Sequence, residues 1–522
     1  MKLFFYQIVT RLWGEGKMSS FDPATLSYIK GLGVDYLWYT GIPEHATLKP
    51  FVKGDWGSPY AIEDWGAVNP YLADDPARAE EEFRALVRRT HEAGMKVCID
   101  FIPNHVARDY AGPLPHFDYY DYDWSDTCKV DWSHPATVPL MTDILDRWAG
   151  MGVDAFRVDM AEMVPPELLG RVVRGVKERH PGVIFAAEVY DRNNYRRYAG
   201  GRGLMVGDGG CGGTAGDGGC CCGYDGGVAG FDLLYDKSGV YDILRGISRR
   251  QRGAQELTWN WQFLGDLQPS MLNFLENHDE QRLASAEFLG GTDGSWALLA
   301  YAALFNTASF MMYFGQEVGT DARESDNGRT SIFSRVRPES LAHLARYAVS
   351  GKVLSRAESA VLRRYRALLG HMNRPLFREG DTWDLNYCQP AGGVVSAAGR
   401  CYSSAAGREC SSAAGRGAVV SDAGRGCSSA AGRGAAVSDA GRGCSSAAGR
   451  GAAVATPFDA GCHSVFLRYR GSEAAVAFCN FSDAEADLDV VIPEEMRPVA
   501  GRSVVRVRAA ANDYAVVECG AA

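Results

Sequence analysis

The 522-residue sequence lacks any run of 18 apolar residues, so we predict no membrane-spanning helix. It also lacks an excess of basic residues, because 54 Lys and Arg stand against 64 Asp and Glu, for a net charge of −10. This balance argues against a nucleic-acid partner and fits a neutral ligand. A chain of this length can bury at least one large core, and two or three domains are plausible.

Paired cysteine motifs are also missing. The chain has 14 cysteines, but no CxxC pair has the spacing of zinc ligands, and eight cysteines lie in low-complexity tracts. We therefore expect reduced thiols rather than a disulfide framework. The N-terminal stretch "MKLFFYQIVTRLW" has no small-residue cleavage site, so we interpret it as a first strand and expect a cytoplasmic protein.

Strand-like and helix-like segments alternate over the first 370 residues. The predicted helices cover 22–30, 76–93, 136–149 and 166–179, with Asp75 as N-cap and Gly94 as stop of the second. Eight mostly continuous apolar runs between helices are typical of buried parallel strands and predict an α/β fold, a (β/α)8 TIM barrel. The eight runs are "LFFYQIVT", "DYLWYT", "MKVCIDFI", "GVDAFRVD", "GVIFAAEV", "FDLLYD", "MLNFLENHD" and "ASFMMYFGQE".

After residue 370 the pattern changes to short alternating segments such as "SVFLRYR" and "ADLDVVI". They predict a C-terminal antiparallel β-sandwich domain over 371–522, following a barrel domain over 1–370. Two stretches fit neither domain. Residues 200–230 are a Gly-rich loop insertion, and residues 391–455 contain a low-complexity repeat with a period of 17 residues that is too small and polar to build a core.

Four short contexts place polar residues at the ends of predicted barrel strands: "DFIPNH" (100–105), "GVDAFRVDM" (152–160), "FAAEVY" (185–190) and "FLENHDEQR" (274–282). Any one acid has an ordinary explanation, such as capping a helix or ending a strand in solvent. Together, Asp159, Glu188 and Asp279 fall at the carboxyl ends of strands, where such barrels carry their chemistry.

With these four motifs the sequence resembles glycoside hydrolase family 13, the α-amylase family, and through "WYTGIPEHA" and "GSPYAI" its bacterial amylase-like branch. The resemblance implies that Asp159 is the catalytic nucleophile, Glu188 the general acid/base and Asp279 a third acid that holds sugar hydroxyls. It further implies four substrate-binding residues, which are Tyr60, His105, Arg157 and His278.

Glycosidic cleavage independently calls for two carboxyls in different protonation states. Arg157 lies two residues before Asp159 on an alternating strand, so both side chains point to one side, and we expect Arg157 to keep Asp159 ionised. Burial and neighbouring carboxylates should raise the pKa of Glu188. Aromatic side chains at loop edges are candidates to stack on sugar rings, although core packing is commoner for any single one: Trp38, Tyr39, Tyr60, Trp65 and Tyr190.

The excursion after the third strand, domain B of the family, is reduced here to 106–134. The chemistry requires no cofactor, but Asn104 matches the family's calcium ligand, and Asp118, Asp121, Asp123 or Asp126 are candidates to add oxygens to a Ca²⁺ site. Many relatives have an aspartate where Ala61 stands, and Lys-His where this chain has "AEMV", which leaves substrate preference open.

Three functions are compatible with this pattern. The first is a retaining hydrolase of α-1,4-linked glucans, with an α-glucan or maltooligosaccharide as substrate and no membrane or nucleic-acid partner. The second is an α-glucan transglycosylase with the same residues. The third, a non-catalytic carbohydrate-binding relative, is less favoured because all three acids and Arg157 are present. The sequence does not fix chain-length preference, endo or exo action, or oligomeric state.

Overall fold

A computed structural model describes residues 1–118, 124–200, 229–390 and 456–520. The Gly-rich insertion predicted at 200–230 lies outside the described residues except at its ends, and the repeat predicted at 391–455 lies wholly outside them. The described strands are β1 Phe4–Val9, β2 Tyr36–Thr40, β3 Pro43–His45, β4 Ile62–Val68, β5 Lys96–Phe101, β6 His105–Ala107, β7 Thr127–Lys129, β8 Ala155–Val158, β9 Ile184–Ala187, β10 Leu233–Tyr235, β11 Met271–Asn273, β12 Ser309–Tyr313, β13 Asp381–Asp384, β14 His463–Arg470, β15 Glu473–Asn480, β16 Ala486–Val491, β17 Val504–Ala509 and β18 Tyr514–Gly520.

The helices of the same residues alternate with the barrel strands and then precede the C-terminal sheets. They are α1 Pro23–Gly31, α2 Ala79–Glu92, α3 Thr137–Gly150, α4 Pro166–Arg179, α5 Tyr195–Tyr198, α6 Asp242–Ser248, α7 Gln255–Leu264, α8 Trp296–Leu304, α9 Glu339–Ser350, α10 Arg356–Met372, α11 Pro375–Arg378 and α12 Arg497–Ala500.

Eight parallel strands close into a barrel in the order β1-β2-β5-β8-β9-β10-β11-β12, with β1 pairing both β2 and β12. All eight lie within the predicted apolar runs, so the TIM barrel is confirmed, including β1 from the N-terminal stretch. Their side chains are buried almost throughout, because helices cover the outer face and packed side chains fill the interior.

The predicted helices form with one difference at a start. Asp75 caps a 3₁₀ turn at Pro76–Arg78 by accepting a hydrogen bond from the Ala77 N–H at 3.0 Å, and the α-helix proper begins at Ala79. The carboxylate of Glu82 accepts the backbone N–H of Asp75 at 2.9 Å, which secures this tight entry. Gly94, with φ of +77°, follows the helix as predicted.

Two short hairpins rise from the barrel edge that carries the carboxyl ends of the strands. One is β3–β4, and the other is β6–β7, which bounds much of the predicted domain B at 106–134. In the second hairpin His105 pairs with Lys129 and Ala107 with Thr127, so the chain returns to the barrel within about thirty residues. The exact domain limits stay predictions.

The C-terminal region has a four-stranded antiparallel sheet, β13-β14-β15-β18, and a two-stranded sheet, β16-β17. Side chains alternate along β14: Val465 and Leu467 enter a core between the two sheets, whereas Phe466 packs against Tyr301 and Phe305 of the barrel domain. The predicted β-sandwich is therefore confirmed. The sequence analysis missed β17, although "VVRVRA" alternates buried and exposed residues.

No helix in the described parts of the chain is long and apolar enough to cross a membrane. The cysteines of those parts are free thiols, namely Cys98, Cys128, Cys388, Cys462, Cys479 and Cys519.

Candidate active site

Three strands of the barrel, β8, β9 and β11, place most of the predicted site residues at one edge. Arg157 lies in β8 and Asp159 follows it, Glu188 follows β9, and His278 and Asp279 lie beyond β11. Because parallel strands all end at this edge, residues far apart in sequence converge there. The structure thus brings together the acids that the sequence placed at strand ends.

Arg157 is fully buried and contacts four acids. Its Nη1 donates a hydrogen bond to Asp159 Oδ1 at 2.6 Å, and its Nη2 lies 2.9 Å from Glu188 Oε2. Asp100 Oδ1 lies 3.6 Å away and Asp279 Oδ2 lies 4.0 Å away. One guanidinium therefore holds the Asp159 and Glu188 carboxyls side by side. This pairing offsets the cost of burying charged groups at the end of β8.

The turn after Asp159 is unusual. Met160 has φ of +44°, a left-handed conformation that non-glycine residues rarely adopt. In this conformation its backbone N–H donates to Glu188 Oε2 at 2.7 Å. The strained turn thus links the ends of β8 and β9 and fixes the orientation of the Glu188 carboxyl.

Glu188 is buried and its second oxygen, Oε1, accepts a hydrogen bond from the Tyr190 hydroxyl at 2.7 Å. Burial raises the pKa of Glu188, Arg157 opposes the rise, and the negative charges of Asp159 and Asp279 add to it. The predicted direction is confirmed, and such a carboxyl retains a proton to a higher pH than an exposed glutamate.

Burial also raises the pKa of Asp159, and it outweighs the opposing effect of Arg157. Arg157 acts in the predicted direction, since it lowers the pKa of Asp159, but burial has the larger effect. The reason is that the positive charge of Arg157 interacts with several acids at once, whereas the loss of hydration on burial acts on Asp159 in full.

Asp279 behaves in the opposite way. Burial raises its pKa, but the His278 ring, whose Nε2 lies 3.0 Å from Asp279 Oδ2, and Arg157 outweigh this, and the pKa falls to about 2. Gln7 donates from Nε2 to His278 Nδ1 at 2.9 Å, which leaves the proton of the neutral ring on the nitrogen facing Asp279. Asp279 thus stays ionised to a lower pH than an ordinary aspartate, and its side chain is 45% exposed.

Asp100 forms the floor beneath these groups. Its Oδ2 accepts from Trp38 Nε1 at 2.9 Å and its Oδ1 from the Tyr60 hydroxyl at 3.2 Å. The Tyr60 ring stacks on the His278 ring at 4.8 Å, so the two predicted sugar contacts form one surface. Sequence reasoning quoted "DFIPNH" but gave Asp100 no role, although an acid at a barrel strand end was a signal.

A cavity of about 200 Å³ opens above these residues, and its lining includes Tyr60, His105, Asp159, Glu188, His278 and Asp279. Of the aromatic candidates, Tyr60 and Tyr190 line this cavity. Trp38, Tyr39 and Trp65 are buried in the core and do not line it, which is the commoner of the two roles that the sequence analysis considered. Their aromatic character serves core packing and, for Trp38, the hydrogen bond to Asp100.

Asn104 does not line the cavity. It is buried, with Nδ2 3.4 Å from His105 Nδ1 and 3.9 Å from Met163 Sδ. In the described ranges no group of three or more His, Cys, Asp or Glu side chains could hold a metal ion. Asp121 and Asp123 lie outside those ranges. The calcium site at Asn104 therefore stays a prediction.

Comparison with known proteins agrees with this geometry. Residues 23–112 match the family model of the alpha-amylase catalytic domain. The chain is 32% identical over 162 residues to a glycogen debranching enzyme of Klebsiella pneumoniae, covering 27% of this chain and 24% of that protein. It is 30% identical over 198 residues to an alpha-1,4-glucan:maltose-1-phosphate maltosyltransferase of Cereibacter sphaeroides, covering 32% of each. The matched part spans about a quarter to a third of these relatives.

Solved structures extend the likeness over the whole fold. An alpha-amylase from Lactobacillus plantarum superposes with a TM-score of 0.62 at 18% identity, covering 99% of this chain and 98% of that one. Fold and site define a (β/α)8 barrel with a carboxylate site at its carboxyl edge. Residues 23–112 are thus similar to the alpha-amylase catalytic domain, and the fold of the chain is that of solved alpha-amylases.

Proposed function

We propose that this protein is a retaining glycoside hydrolase that acts on α-1,4-linked glucans through a covalent glycosyl-enzyme intermediate. The observation that carries the proposal is the pair of buried carboxyls, Asp159 and Glu188, held by the two terminal nitrogens of Arg157 at 2.6 and 2.9 Å. Retaining glycosidases need two carboxyls about 5–5.5 Å apart, and a shared guanidinium is a means of keeping two carboxyls that close.

In the first step Asp159, as the carboxylate, attacks the anomeric carbon of the sugar bound in the cavity. The glycosidic bond breaks, and the proton of Glu188 goes to the departing oxygen. Because its pKa is raised, the Glu188 carboxyl keeps the proton that it donates in this step. Hydrogen bonds from Met160 and Tyr190 hold the carboxyl in position.

In the second step Glu188, now ionised, takes a proton from water, and the oxygen of that water attacks the same carbon. The bond to Asp159 breaks, which restores both carboxyls and retains the anomeric configuration. Asp279 stays ionised beside His278, so it can accept hydrogen bonds from sugar hydroxyls throughout the cycle. A ring lying on Tyr60 would be within reach of these groups.

Transglycosylation is a second candidate, because one of the matched relatives is named a maltosyltransferase. The same intermediate is then intercepted by a sugar hydroxyl instead of water. Product analysis with added maltose separates the two: longer maltooligosaccharides indicate transfer, and their absence alongside reducing-sugar release indicates hydrolysis.

The test of the proposed function is reducing-sugar release from soluble starch by the intact chain and by Asp159→Asn. Loss of the nucleophile should lower the rate by at least about 10³-fold. Asp293→Asn, at an exposed loop acid away from the cavity, is the control and should keep full activity. Equal release by Asp159→Asn and the intact chain would end the assignment.

A further inference from the structure

An ion pair between a lysine and an aspartate lines the same cavity and has no part in the two-step chemistry. Lys53 comes from the loop between β3 and β4, and Asp126 precedes β7. Lys53 Nζ lies 3.6 Å from Asp126 Oδ1. Two separate hairpins therefore each send one charged side chain to the cavity that holds Asp159 and Glu188.

Asp126 is buried, with its side chain 2% exposed, and its second carboxylate oxygen, Oδ2, has no hydrogen-bond partner among the described residues. A buried carboxylate oxygen without a partner is unfavourable unless a ligand supplies a donor. The backbone carbonyl of Asp126 accepts a hydrogen bond from the Arg108 N–H at 2.9 Å, so the backbone at Asp126 is held in place.

The pair lies on the His105 side of the cavity. Trp124, two residues before Asp126, has its ring 5.1 Å from the His105 ring, and Thr127 donates its hydroxyl to the Trp124 carbonyl at 2.8 Å. A ligand that reaches His105 thus comes close to Asp126 and Lys53.

We propose that Asp126 and Lys53 bind hydroxyl groups of a glucosyl unit on the His105 side of the cavity and so determine substrate specificity. A hydroxyl donates to Asp126 Oδ2, and the Lys53 ammonium donates to a hydroxyl oxygen of the same unit. A neutral, hydroxyl-rich ligand suits a pair whose charges cancel, whereas an anionic one would face Asp126, Asp159, Glu188 and Asp279. This inference rests on the proposed function, because it takes the ligand to be an α-glucan.

Lys49 provides a matched control on the same loop. It also pairs with acids, Glu63 and Asp109, and its side chain is exposed to a similar degree, 28% against 33% for Lys53. Lys49 does not line the cavity. If the Lys53 ion pair merely anchored the loop, removing either lysine should have a similar effect.

The experiment measures maltotriose binding by calorimetry to the full chain carrying Asp159→Asn, which prevents turnover. Adding Lys53→Met should weaken binding at least tenfold, since charged hydrogen bonds are lost. Adding Asp126→Asn should weaken it in the same direction, and adding Lys49→Met should change it less than twofold. Melting temperatures identify any variant that fails to fold, and Lys53→Gln replaces Lys53→Met in that case.

A set of monodeoxy maltotrioses then tests the contact itself. Removing the contacted hydroxyl should weaken binding to the Asp159→Asn chain but cost little further in the chain that also carries Lys53→Met. Equal losses from Lys49→Met and Lys53→Met, or no loss from either, would overturn the inference. If starch hydrolysis fails but the Lys53-specific loss of binding persists, the proposed function falls and the binding pair stands.

Discussion

Two fully buried arginines lie near the carboxyl ends of the barrel strands, Arg157 within β8 and Arg282 beyond β11, and their partners differ. Arg157 contacts Asp159 and Glu188 closely, with Asp100 and Asp279 within 4.0 Å. Arg282 pairs with a single acid, Glu276, at 3.0 Å, and also donates to the Phe314 carbonyl and, from Nε, to the Thr330 hydroxyl, both at 2.8 Å.

This difference shows that one edge of the barrel holds two kinds of arginine site, one suited to catalysis and one that stabilises the fold. Around Arg157 negative charges outnumber positive ones, and they face a cavity, so their protonation can change during a reaction. Glu276 is 1% exposed, lies outside that cavity and has one cation of its own, so the Arg282 pair holds the loop that carries Thr330. Mutations in the two groups should therefore damage different properties.

The largest effect should come from Glu188→Gln, which removes the proposed proton donor. We expect kcat/KM on maltotriose to fall about 10³- to 10⁴-fold. With a 2,4-dinitrophenyl α-maltoside, whose leaving group needs no proton, kcat/KM, which covers only the first step, should fall by no more than about tenfold. Glu276→Gln is the matched control from the other group and should retain kcat per folded molecule. Equal losses on both substrates would contradict the role of Glu188.

Arg282→Met should instead lower stability, by about 3–5 kcal/mol in the free energy of unfolding, because it leaves Glu276 buried and unpaired. Urea denaturation followed by tryptophan fluorescence measures the change. The double variant Arg282→Met/Glu276→Gln removes the orphaned charge and should recover part of the loss. A single variant as stable as the intact chain would show that the pair does not hold the loop.

Asp279→Asn should reduce kcat/KM on maltooligosaccharides by about 10²- to 10³-fold, since a charged acceptor near the transition state is replaced by a neutral one. The folded state should survive, because the side chain is 45% exposed and Arg157 keeps other acids. The measurement pairs initial rates with a thermal melt. An unfolded variant, rather than an inactive folded one, would place Asp279 with the structural group.

A smaller effect concerns pH. The negative charge of Asp279 helps to raise the pKa of Glu188, and it also raises the pKa of His278 against the opposite effect of burial. In Asp279→Asn both pKa values should fall, so the alkaline limb of the kcat/KM profile, where Glu188 loses its proton, should move to lower pH. NMR titration should show the fall for His278. An unmoved limb would mean that Asp279 does not act on Glu188 electrostatically.

The barrel and the acids were accessible from sequence for a physical reason. Continuous apolar runs indicate strands that are buried on both faces, and residues at the ends of parallel strands lie at one edge of a barrel. The sequence therefore predicts that Asp159, Glu188 and Asp279 lie close together. The β17 segment "VVRVRA" also alternates apolar and charged residues, so a strand there is predictable from the sequence.

Contacts between distant segments had no such signal. The support of His278 by Gln7 joins residues 271 positions apart, and the approach of Lys53 to Asp126 joins two hairpins. Residue type alone does not tell an aromatic side chain of the cavity from one of the core. Trp38 and Tyr60 are both aromatic and both hydrogen-bond to Asp100, yet of the two only Tyr60 lines the cavity. The balance of burial against Arg157 at Asp159 likewise depends on how many acids share one cation, which the motif does not state.

The central claim is that Asp159 forms a covalent bond to the sugar, and trapping that bond tests it most directly. A 5-fluoro-α-glucosyl fluoride should load the enzyme quickly and leave it slowly, because the ring fluorine destabilises the oxocarbenium-like transition states of both steps while the fluoride is a good leaving group. Peptide mass mapping should then find one glycosyl adduct on the peptide that contains Asp159. An adduct on Asp279 or Glu188, or catalytic turnover of glucans with inversion of configuration, would contradict the account.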